Sequence, residues 1–216
     1  MSYIYIMKEY IVYNSNLSEE ELKELNIYIS SNSVVQDGTQ IYFNSCISGD
    51  SIVYNTTVIH NNSTIIDSVI RGNCHIYSSR IENCEIGENC MIGPFACIKD
   101  SELSDGGCKI GNFVEMKNSI LSSKVCISHL SSVQNAEIGA NTIIGSGVVF
   151  SSTEEKILIG DNVKIGANSS LIAPLTIADD SYVAIGSVIS CDVDANEYAI
   201  ARAKQQNSEY SDKKAK

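Results

Sequence analysis

Ile159-Gly160-Asp161-Asn162-Val163-Lys164-Ile165-Gly166-Ala167-Asn168-Ser169-Ser170-Leu171 repeats itself every six residues. An aliphatic opens each unit, Gly follows it twice, and Asn stands three places after it. A period of six is neither the 3.6 of a helix nor the simple alternation of an ordinary strand. It is the mark of a solenoid, in which no unit can bury its own apolar side chain and stacked units share one core.

The period continues in both directions. Downstream it passes through Ile177, Val183 and Ile189. Upstream, Ile-Gly recurs at Ile86, Ile92, Ile110, Ile138 and Ile144, and a looser series steps by five or six through Ile47, Val53, Ile59, Ile65, Ile70, Ile76 and Ile81. One large aliphatic per unit points inward, and a small residue four places later, such as Ala96, Ser169 or Ser181, also faces in. Asn89, Asn141, Asn162 and Asn168 suit the intervening turns. Five-residue steps imply shortened corners. The parallel β-helix is expected from Val34 to near Ile189, with its segment closing by residue 202. Two interruptions, Lys99–Cys108 and Phe150–Leu158, are expected to form loops on one face.

The ends read differently. Residues 2–13, rich in Tyr, Ile and Val, predict a strand. Ser18 and Glu21 form a capping-box pattern ahead of a short amphipathic helix carrying Leu17, Leu22 and Leu25. Residues 1–33 are therefore expected to cap the open end of the column, and residues 203–216, without an apolar period, to be a polar tail.

Composition narrows the function. Among 216 residues, 44% are apolar, and 26 acidic against 15 basic residues give a net charge of −11. That balance disfavours nucleic acid as a partner. No stretch is long enough to span a bilayer, and residues 1–13 lack the features of a signal peptide, so a cytoplasmic location is expected. The eight cysteines form no CxxC pair, and Cys74 and Cys90 fall on positions that other repeats fill with Ala, Ser or Thr. They read as small buried thiols. His60, His75 and His129 are the three histidines, separated by 15 and 54 residues. A zinc site needs ligands converging within about 2.1 Å of one point. His129 lies several coils from the other two, so no metal is expected.

Ile92-Gly93-Pro94-Phe95-Ala96, Gly111-Asn112-Phe113-Val114-Glu115-Met116-Lys117, Ser128-His129-Leu130, Asn135-Ala136-Glu137-Ile138-Gly139 and Leu171-Ile172-Ala173-Pro174 follow one another in an order that is specific. Over about residues 65–205 the chain resembles the C-terminal acetyltransferase domain of the bifunctional N-acetylglucosamine-1-phosphate uridyltransferase/glucosamine-1-phosphate acetyltransferases, a hexapeptide-repeat acyltransferase family. The resemblance implies an all-β fold, a left-handed parallel β-helix of roughly 18 residues per three-sided turn, hence about eight or nine coils. It implies a homotrimer that binds acetyl-CoA between neighbouring helices and acetylates an amino sugar. It places the catalytic base on His129 with Glu115 in support, the sugar-phosphate contacts on Lys117 and Lys99, and the coenzyme contacts on Arg202, Ser146, Ala167 and Ile185.

The sequence also departs from that family. Ser132 replaces a Tyr three residues after the base, Ile143 replaces a sugar-binding Asn, Ser146 replaces an Ala, and an Arg of the phosphate site is Lys99, which loses the bidentate fork. The Asn-Tyr-Asp-Gly loop is replaced by the shorter Ser151-Ser152-Thr153-Glu154-Glu155-Lys156. Acetyl transfer to a phosphorylated amino sugar leads. A different amine acceptor and a non-catalytic binding or assembly subunit stand beside it. Each matched residue also has a plainer reading: His129 as a solvent-edge histidine, Lys117 and Lys99 as surface charges, Glu115 as the partner that balances Lys117, and Arg202 as a cap on a C-terminal segment. No Gly-rich nucleotide loop is present, so nucleotidyl transfer is not expected.

Overall fold

An inward aliphatic at every sixth position gives each side of a three-sided coil one large side chain to bury, and the computed structural model has that form. It describes residues 10–14, 16–104, 106–152 and 154–207. Three sheets of 11, 10 and 9 short strands form the faces of a parallel β-helix of about nine turns. On the first face Ile59, Ile76, Ile92, Ile110, Ile127, Ile144 and Ile165 are register partners in succession. Ile65, Ile81, Ile98, Met116 and Val133 do the same on the second. Val53, Ile70, Ile86, Leu103, Leu121 and Ile138 do so on the third. All are 0–2% exposed. Each such burial contributes about 1.5–3 kcal/mol, and only through the coils above and below.

The corners explain the turn residues. Asn89, Asn141, Asn162 and Asn168 all have φ of 56–59°, the left-handed region that Asn tolerates better than most residues. Their amides also join coil to coil: Asn73 donates to Asn89 at 2.6 Å and Asn118 to Asn135 at 2.7 Å. Just beyond each corner, small polar side chains satisfy buried carbonyls, as Thr142 does at Gly160 (2.8 Å) and Thr57 at Arg71 (3.0 Å). Cys74, Cys90 and Cys108 occupy this same column. Cys74 and Cys108 direct their thiols at the carbonyls of Gly87 (3.1 Å) and Ser122 (3.2 Å). They thus replace hydroxyls in a core position. The eight cysteines are free, and burial pushes the Cys84 thiol up to about 11.

Several expectations change. Parallel pairing begins earlier than Val34, at Tyr28–Ile29, while its last strand, Tyr198–Ala199, lies inside the segment expected to close by residue 202. The stretch Lys99–Cys108 is not a looped-out insertion. Glu102–Leu103 is a regular strand whose Leu103 is fully buried between Ile86 and Leu121. An inward leucine kept its rung, and the extra residues fall in the following corner. The second interruption does loop out, between strands Val149–Ser151 and Ile157–Ile159.

At the N-terminal end, Tyr10–Val12 runs antiparallel to Gln40–Tyr42. Helix Glu19–Glu24 carries the complete Ser18/Glu21 capping box. Leu17, Leu22 and Leu25 lie against the core. The rest of the expected N-terminal strand, residues 2–9, and the tail from 208 onward lie outside the described residues. Among the described residues no helix is long and apolar enough to cross a membrane.

The first face begins with an aromatic stack. Tyr10 lies on Tyr42 (4.8 Å between ring centroids), Tyr42 on His60 (5.1 Å), and His60 on both Tyr77 (4.0 Å) and His75 (5.8 Å). His60 Nε2 and His75 Nδ1 are shielded and lack a hydrogen-bond partner. Burial first, and the His75 charge second, lower the pKa of His60. A histidine whose folded pKa lies below its free value of about 6.5 takes up protons more readily when unfolded. Its contribution is complete above that value and is lost as pH falls below it. His60→Tyr keeps the stack and removes the titration. Its urea midpoint should therefore fall less than the wild-type midpoint between pH 7 and 5.5; equal losses would show that His60 does not set this dependence.

Candidate active site

His129 stands at the corner between the first and second faces, in the turn from Cys126–Ile127 to Ser132–Gln134. It is exposed, and its ring makes no hydrogen bond or ion pair with any described residue. Its backbone is fixed from below. The chain passes under it at Gly111, where an added Cβ would lie 2.7 Å from the His129 nitrogen. No L side chain fits there without moving main chain, which is why the first face carries Gly at this point.

The strand Glu115–Lys117, one coil earlier on the second face, turns Met116 into the core and leaves Glu115 and Lys117 exposed. Glu115 is in register with Ser132, and Lys117 with Gln134. One coil further back, Cys97 pairs with Glu115 and Lys99 with Lys117. The structure therefore brings His129, Glu115, Lys117 and Lys99 to one stretch of corner and face. Glu115 and Lys117 do not neutralise each other, since neither is in an ion pair with any described residue. Lys99 is not free. Its ammonium lies 2.9 Å from Glu82, whose other oxygen takes Arg80 at 2.8 Å. Lys99 holds the Glu82 carboxyl below its ordinary range, with Arg80 as the second cause, and Glu82 in turn raises Lys99.

The four residues matched to the coenzyme prove to be one line. The amide of Gly147 donates to the His129 carbonyl, that of Asn168 to Ser146, and that of Gly186 to Ala167. His129, Ser146, Ala167 and Ile185 thus occupy the same corner position in successive coils. Arg202 ends the line, donating to the Ile185 carbonyl at 3.0 Å. From His129 to Ile185 is three coils, roughly 14 Å. Beside this line runs a second corner column where Phe95, Phe113 and Leu130 take φ of 56–62°. They are 57%, 53% and 62% exposed, and the two Phe rings stack at 5.2 Å. Bulky side chains are uncommon at such φ.

Arg80, Glu82 and the Phe95–Phe113–Leu130 ridge went unnoticed in the sequence. The signal for the charged pair was its spacing, since Glu82 and Lys99 are 17 residues apart, one coil. A groove of about 340 Å³ lies elsewhere, along the corner between the second and third faces, lined by Asn83, Glu102, Asn118, Glu137 and Lys156 among others. None of the matched residues borders it. Among the described residues no three His, Cys, Asp or Glu side chains converge as a metal site. His75 and His60 stack with tyrosines three and four coils from His129.

No protein-family model matches the chain. Among curated proteins it is 46% identical over 149 residues to bifunctional protein GlmU of Caldicellulosiruptor saccharolyticus, covering 67% of this chain and 32% of that protein. The chain is homologous to one part of the GlmU proteins. It is also 37% identical over 186 residues to GlmU of Clostridium novyi, covering 84% of this chain and 41% of the relative. The resemblance read from the motifs is thereby upheld, over about a third to two-fifths of the length of these GlmU relatives. Solved structures with a similar course include LpxA from Acinetobacter baumannii, with TM-score 0.47 and 16% identity, covering 82% of this chain and 70% of that one.

Because the nearest atoms above Gly111 are backbone, Gly111→Ala should destabilise the protein by about 1–3 kcal/mol and shift the His129 amide resonance. Urea unfolding and a backbone NMR assignment check both. An unchanged midpoint and resonance would show that this contact does not set the position of His129.

Proposed function

We propose that this chain is an acyl-CoA-dependent N-acetyltransferase that takes acetyl-CoA as donor and an amino sugar, phosphorylated as in glucosamine-1-phosphate, as acceptor. The observation that supports it most is the continuous corner line from His129 through Ser146, Ala167 and Ile185 to Arg202, with Glu115 and Lys117 exposed beside its catalytic end. An elongated thioester donor laid on that line would bring its carbonyl to His129. The acceptor nitrogen attacks the thioester carbon, the C–S bond breaks, and CoA leaves as the thiol. His129 takes the proton that the nitrogen loses and passes it to the departing CoA sulfur. Glu115 supports the site, and Lys117 and Lys99 receive the sugar phosphate. In this reading the product belongs to the supply of UDP-N-acetylglucosamine, and the setting is cytoplasmic. Ser132, Ile143 and the short 151–156 loop favour a second reading in which the acceptor is a different amine.

CoA release from acetyl-CoA across a panel of amino sugars and their 1-phosphates tests the proposal. Turnover should drop by roughly 10²–10⁴ in His129→Ala. Turnover that survives the substitution would remove His129 as the base, and failure to bind acetyl-CoA at millimolar concentration would end the acetyltransferase reading.

The working unit in this proposal is a homotrimer. On one protomer the His129 line is an open ledge, while the exposed Phe95, Phe113 and Leu130 beside it form an apolar ridge. A second copy laid on the ridge would wall the ledge and cover apolar surface at once, and flat faces suit threefold closure. Sedimentation should give three chains per particle, and Phe113→Asp should shift it to monomer with loss of CoA binding. A wild-type monomer would refute this assembly.

A further inference from the structure

Glu82, Lys99 and Lys117 follow one another in a single outward column of the second face, one coil apart. The middle member is already engaged. Glu82 gives one oxygen to Lys99 at 2.9 Å and the other to Arg80 at 2.8 Å, so each oxygen has its own cation. Lys117 has no ion pair among the described residues. The pair is open to water, with 27% of the Glu82 side chain and 45% of the Lys99 side chain exposed, and such pairs exchange at little cost.

We propose that Glu82 is a built-in competitor for the acceptor's anion, and that the acceptor phosphate binds by taking Lys99 away from it. This rests on the acetyltransferase reading for the identity of the acceptor, and it adds the residue that sets its charge requirement. Lys99 and Lys117 stand one rung apart, about 4.8 Å at the backbone. Their ammonium groups, on flexible stems, can close on one phosphate. Arg80 keeps the other Glu82 oxygen, so the carboxylate stays in place when Lys99 leaves. A dianionic phosphate bridging two lysines outbids a single carboxylate on one. A neutral amino sugar brings nothing to trade, and an acceptor bearing a carboxylate trades evenly. Selection for a phosphorylated acceptor then comes from the occupied lysine as well as from the free one, a preference produced by penalising the wrong ligand.

Equilibrium titration of the full chain with glucosamine-1-phosphate, and in parallel with inorganic phosphate, tests this in wild type, Glu82→Gln, Lys99→Met and the double variant. Glu82→Gln should tighten binding of both ligands roughly two- to fivefold, more at low salt than at high. In the Lys99→Met background the same substitution should change nothing, as a double-mutant cycle requires. Weaker or unchanged binding in Glu82→Gln overturns the proposal, as does an effect that persists without Lys99, or the absence of binding to any of the four proteins. A purely structural Glu82 would give weaker binding, the opposite sign. CoA release is read separately. Transfer with no Glu82 effect sinks this inference alone, whereas the expected affinity ratios without transfer sink the acetyltransferase reading alone.

Discussion

The register between successive coils governs everything else in this molecule. Each coil must place its three inward aliphatics directly over those of the coil below, because a column buried on both sides tolerates no lateral slip. Residues one coil apart in sequence then become neighbours at the spacing of adjacent strands, about 4.8 Å. Outward side chains inherit the same order. Glu82, Lys99 and Lys117 form a column because Ile81, Ile98 and Met116 beside them do. His129, Ser146, Ala167 and Ile185 form a line because the isoleucines of the first face stack beneath them. The site is a by-product of the core.

That dependence explains how much could be read in advance. The period of six is carried by buried residues, each constrained by two neighbours, so fold class, strand positions and the buried character of Cys74 and Cys90 were all legible. Shortened corners were legible too. A five-residue step such as Ile76 to Ile81 drops a corner residue and leaves the next aliphatic on its column. The Lys99–Cys108 stretch misled because its polar and Gly-rich residues cluster around a single leucine. In a column, one inward leucine is enough to hold a rung. Parallel pairing at Tyr28 was missed because the first coil has a neighbour on one side only, and the pattern there is under less constraint.

The candidate site residues could be proposed by homologous motif, and their electrostatics could not. The motifs gave His129, Glu115, Lys117 and Lys99 in order, and the structure puts them on adjoining coils. Nothing in a linear reading paired Lys99 with Glu82, because an ion pair across coils joins residues that are distant in sequence and exposed on a face without periodic signal. Such pairs matter more here than their small energies suggest. With a net charge of −11, the chain repels anionic ligands at long range. It can hold a phosphate only where cations are concentrated. Screening over about 8–10 Å at ordinary ionic strength would, in the proposed site, confine that requirement to the immediate neighbourhood of Lys99, Lys117 and Arg202.

The corner beside His129 shows where the fold departs from its own rule. Asn44, Asn62 and Asn168 occupy one corner column at φ of 56–58°, with Gly147 in it at 69°. Between them the same column holds Phe95, Phe113 and Leu130. A left-handed conformation costs an ordinary L-residue about 1–2 kcal/mol, and these three also expose most of their apolar surface. Asn or Gly would have been cheaper at each position by both measures. Within this column the expense falls on three consecutive coils, those that carry Lys99, Glu115 and His129. In the proposed assembly, an unfavourable φ and exposed apolar area at three consecutive positions beside His129 suit a surface that a second copy covers, and that copy would also close the ledge on which His129 stands.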